Sequence, residues 1–169
     1  MSRHDDDDQR LATAGERMAG RALLHDARQL IRTRESMFST APWAHYPGLP
    51  FRPADFGLLV CDEILEGFRI GLEWVEAGFA GPGLTPRTVA WAMVLADGGA
   101  ITPARAREAV GWFARHEVDL DAPGADVMDD DYPSPGRVAW ELWGSDEGRE
   151  WLVGLVAEMN EIDDQEGAP

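Results

Sequence analysis

The chain has 169 residues, 44% of them hydrophobic, with one cysteine, Cys61, and a formal net charge of −16 from 31 acids against 15 arginines and no lysine. That length supports one ordinary domain with tails. A single cysteine excludes an intrachain disulfide, the lack of lysine excludes P-loop and Schiff-base chemistry, and so acidic a chain repels nucleic acid and anionic membrane.

Residues 1–9 contain HDDDD and no apolar run. They read as a disordered polar tail and not as a signal peptide. Residues 10–38 form the first expected helix, an amphipathic arm. Arg10, Arg17, Arg21, Arg28 and Arg32 recur at steps of seven and four, which puts them on one stripe. Residues 39–53 (STAPWAHYPGLPFRP) carry four prolines, which stop helices and predict an extended connector. Trp43, Tyr46 and Phe51 make that connector too apolar for a free linker.

The expected body spans 54–161. Its first helix covers Ala54 to Phe79 and ends at AGPG. LTPRTV and ITPARA then repeat one start signal, an aliphatic residue, a threonine cap and proline at the first helical position. The first of these helices stops at Gly98-Gly99, and the second runs from Pro103 to His116. Residues 117–133 read as a solvated acidic loop. Ser134-Pro135 opens a short helix ending at Gly144, and Ser145 is placed to cap a last helix running to Glu161. Residues 162–169 read as a frayed tail. No segment alternates with period two, so the predicted fold is all-α: a compact bundle of about five helices with an N-terminal helical arm and a Pro-rich connector. The longest apolar runs are far short of a membrane span.

No catalytic constellation emerges. His116-Glu117 lacks the second histidine of a zinc-protease helix, since residue 120 is leucine. The histidines at 4, 25, 45 and 116 are scattered. The aspartates of DLDAPGADVMDDDY lack the EF-hand spacing. No metal, cofactor or catalytic residue is therefore expected. The tryptophans within helices fall mostly on apolar faces, where they read as core. Trp140 and Trp143 share one face, and Trp151 follows one helix later. Arg137 and Arg149 are expected to pair with acids of the loop before them.

The strings WFARHEVD (112–119) and YPSPGRVAWELWGSDEGREW (132–151) resemble a small helical domain of tailed-phage and prophage head-module proteins, found fused to or encoded near prohead proteases. The resemblance extends back through EGFRIGLEWVEAGF, LTPRTV and ITPARA and covers residues 62–158. It marks His116, Arg137, Trp140, Trp143 and Trp151 as motif residues. Leu120 stands where that domain usually has lysine, and Ser145 where it usually has glycine. The domain brings no catalytic residue, so nothing catalytic is carried over.

The resemblance implies a non-enzymatic, capsid-associated structural or assembly protein that binds phage head proteins or further copies of itself. Its place of action would be the host cytoplasm during assembly, with retention in the virion left open. Partner contacts are expected at Arg10, Arg17, Arg21, Arg28, Arg32, Trp43, Tyr46 and Phe51. The arm is expected to dock on another molecule rather than fold back. The alternative reading, from charge alone, is an acidic nucleic-acid mimic that inhibits a host nucleic-acid-binding protein.

Overall fold

The computed structural model describes residues 12–33, 62–99 and 102–167. Every regular element among them is helical: α1 (Ala14–Thr33), α2 (Asp62–Ala77), α3 (Pro86–Ala96), α4 (Pro103–His116), a 3-10 turn (Glu117–Asp121), α5 (Pro135–Leu142) and α6 (Ser145–Gly167). The fold is an all-α bundle, as the periodicity predicts.

The three cap-and-proline starts behave alike. Thr85 Oγ1 accepts from the Thr88 N–H at 3.3 Å, Thr102 Oγ1 from Arg105 at 3.2 Å, and Ser134 Oγ from Arg137 at 3.1 Å. Each satisfies one orphan donor of a first turn while proline fills the first helical position. Helix α1 has a reciprocal capping box. The Glu16 N–H donates to Thr13 Oγ1 and the Thr13 N–H to Glu16 Oε2, at 3.2 and 2.7 Å.

The largest departure from expectation is α1. It lies against α2 and α3 of its own chain, so the predicted arm folds back. Leu24 and Ala27 are buried in the same core as Phe68, Val75 and Trp91. Two glycines make this possible. A Cβ on Gly20 would lie 1.9 Å from the Val75 carbonyl oxygen, and one on Gly78 would lie 2.6 Å from the Arg17 nitrogen. The backbone of α1 therefore sits directly on the C-terminus of α2. Gly78 also ends α2 in the left-handed region (φ +101°), while the Phe79 N–H returns to the Trp74 carbonyl at 2.9 Å.

The core runs through the bundle between α2, α3, α4, α5 and α6, with Phe68, Trp91, Phe113, Trp140, Leu142, Leu155 and Met159 fully buried. Helix α6 continues to Gly167, past the predicted end at Glu161. Ile162 packs on the core, and Arg107 of α4 bridges Asn160 and Asp163, so the expected frayed tail is largely helix. Residues 54–61 and the connector lie outside the described residues.

Candidate functional site

The motif residues are mostly interior. Trp140 and Trp143 are buried, Trp151 packs against the core from its edge, and Trp140 donates its indole N–H to Asp146 Oδ1 at 3.1 Å. His116 stacks on Trp112 (4.4 Å between ring centres, 20°), and Trp112 stacks on Trp143 (4.9 Å, 12°). The Arg105 guanidinium then lies 4.0 Å from the Trp143 ring centre and 4.5 Å from that of Trp91. Burial lowers the pKa of Arg105, and Glu108 opposes that shift. The two indole faces and the ion pair to Glu108 (2.8 Å) offset its desolvation. His116 Nδ1 lies 2.8 Å from Asp119 Oδ2, which ties the end of α4 to the 3-10 turn. The string WFARHEVD thus encodes a stack and its clamp.

Arg149 pairs with Glu117 at 3.1 Å, as expected of a loop acid. Arg137 does not pair with a loop acid. Its partner is Glu141, one turn on in α5. This pair lies at the base of a cleft of about 580 Å³ between α2, α5 and the start of α6. Trp74 and Tyr132 form one wall, edge to face at 5.4 Å. Burial pushes the Glu141 carboxyl above its usual range, with Arg137 pulling the other way.

Ser145 also borders this cleft, at φ +62°, an uncommon conformation for a residue with a Cβ. It does not cap α6 in the expected manner. Its hydroxyl donates to Glu147 Oε2 at 2.6 Å, and the Gly148 N–H is taken by the Gly144 carbonyl at 2.8 Å. That hydroxyl bond holds the Glu147 carboxyl below its usual range. A carboxylate so stabilised is a weak base, poorly suited to activating a serine.

The acidic loop is more ordered than a solvated loop need be. Asp129 Oδ2 accepts from the Gly124 N–H at 2.8 Å and from the Asp126 N–H at 3.4 Å, and Asp126 Oδ1 accepts from the Met128 N–H at 2.8 Å. The Ser134 N–H closes the loop onto the Gly124 carbonyl at 2.6 Å. Gly124 is required there, with φ +78° and a Cβ position 2.6 Å from the Asp131 carbonyl oxygen. This scaffold leaves Val127 and Met128 in water, 71% and 87% exposed, with Val118 at 68% nearby in sequence. Residues 117–131 include seven acids and no arginine. The surface is therefore apolar knobs among carboxylates, suited to a basic protein surface with an apolar recess.

Of the residues expected to contact partners, Arg17, Arg21, Arg28 and Arg32 are exposed on α1. Arg10, Trp43, Tyr46 and Phe51 lie outside the described residues. Sequence reading missed Val127 and Met128, hidden as single apolar residues in a polar string.

Among the described residues no group of three potential ligands is placed to hold a metal ion, and no helix is long and apolar enough to cross a membrane. No family model, curated protein or solved structure matches the chain.

Proposed function

We propose that this chain is a non-enzymatic protein-binding component of a phage or prophage head-assembly module, engaging its partner through the acidic loop. The observation that carries the reading is the loop itself. Side-chain carboxylates fix its backbone, and the fixed backbone holds Val127 and Met128 in water. Ordering a loop before binding lowers the entropic cost of association, whereas exposing two large apolar side chains does nothing for the fold. The head-module assignment rests on the resemblance of residues 62–158.

Two measurements test this. Mass spectrometry of purified proheads and mature heads is expected to find the chain in one or both, and absence from both overturns the head-module reading. The Val127→Ser/Met128→Ser double variant is expected to keep the helical circular-dichroism spectrum and melting temperature and to lose its place in those particles. Undiminished incorporation overturns the loop as the contact. Capture of a host nucleic-acid-binding protein in place of head proteins would favour the mimic.

A further inference from the structure

We propose that the acidic loop of one copy of this chain docks on the arginine stripe of α1 of a second copy, head to tail. The proposal rests on the loop being a protein-binding surface and names a partner for it.

The complementary surface lies on α1. Arg17, Arg21, Arg28 and Arg32 are exposed along one stripe of α1. From Arg17 to Arg32 is fifteen residue steps, or about 22 Å of helix. Arg21, Arg28 and Arg32 have no ion-pair partner among the described residues. Met18, 74% exposed, projects beside them. Glu16, the acid nearest the start of the stripe, is engaged with Thr13 in the capping box. A row of exposed guanidinium groups with one exposed thioether mirrors a row of carboxylates with an exposed valine and methionine. Charge would align the two surfaces and the apolar side chains would fill the centre.

The two surfaces belong to different parts of the molecule. Helix α1 packs on α2 and α3, while the loop is closed against the start of α5 by the Ser134–Gly124 bond. No ion pair joins stripe to loop within the described residues. Using two different patches makes the contact heterologous. Each added copy leaves one stripe and one loop free, so association continues into a ring or a filament. The folding back of α1 favours this. Anchored by Gly20 and Leu24, the arm presents its arginines on a rigid surface.

The test is light scattering on the full-length chain across a concentration series, at low and high salt. The wild type is expected to grow in mass with concentration at low salt and to shrink by roughly tenfold in association constant or more at high salt, where exposed charges are screened. Arg21→Glu/Arg32→Glu and Asp130→Arg/Asp131→Arg, the latter sparing the Asp129 bonds that hold the loop, are each expected to be monomeric alone, with unchanged helical circular dichroism. Mixed, they restore association, because the reversed loop of one faces the reversed stripe of the other. A wild type that stays monomeric throughout overturns the self-contact, as does a mixture that fails to associate when both variants are folded. Either result leaves the loop reading to be judged by the Val127/Met128 variant in head particles, so the two failures are distinguishable.

Discussion

Trp140 shows how one side chain can serve packing and polarity together. Its ring is edge to face with Phe113 at 4.8 Å, and its N–H is satisfied by Asp146. Truncating a buried aromatic leaves a cavity that a short helix cannot close. Trp140→Ala is expected to lower unfolding free energy by about 3–5 kcal/mol in a denaturant titration. Glu141 is the opposite kind of residue, a buried charge whose folded pKa is raised, chiefly by desolvation. A carboxyl raised in this way binds its proton more readily folded than unfolded. Its penalty on stability is therefore absent below the ordinary carboxylate value near 4.5 and grows as pH climbs through the raised value. The stability of the wild type relative to Glu141→Gln is expected to rise as pH falls from 7 toward 4. Urea titrations of both proteins at several pH values check the sign.

At the scale of elements, the starts of α3, α4 and α5 were legible because cap and proline are local chemistry. The turn at α6 was not. Ser145 carries a capping residue's hydroxyl but sits at positive φ after Gly144, so the hydroxyl points at Glu147 instead. The fold-back of α1 depends on contacts far apart in sequence, yet it left one local trace. Gly20 lies in the middle of a helix, where glycine costs about 1 kcal/mol against alanine and tends to mark a close approach. The same reasoning predicts its mutant. Gly20→Ala places a methyl into the Val75 carbonyl, and backbone cannot yield as a side chain can. A loss of about 1–3 kcal/mol or more is expected despite the better helix propensity, measured by thermal unfolding. The acidic loop was legible in composition and not in shape. Its carboxylates read as solvated because nothing in a run of aspartates tells which of them bond to nearby backbone.

For the whole molecule, the buried contacts of α1 change what truncation should do. Leu24 and Ala27 belong to the core, so removing residues 1–38 uncovers apolar surface on α2 and α3. The shortened chain is expected to be less stable by at least about 3 kcal/mol, on the burial of Leu24 and its neighbours, and to melt correspondingly earlier by differential scanning calorimetry. An equally stable remainder would mean that the arm contributes no net packing. The row of rings from His116 through Trp112 and Trp143 to Trp91 carries a further consequence, an optical one. The Trp112 and Trp143 indoles, face to face with ring centres 4.9 Å apart, couple their electronic transitions, so the pair absorbs and rotates polarised light as one chromophore. The native protein should show an exciton couplet in circular dichroism that vanishes when α4 parts from α5, even while both remain helical, and so the chain carries its own gauge of tertiary structure.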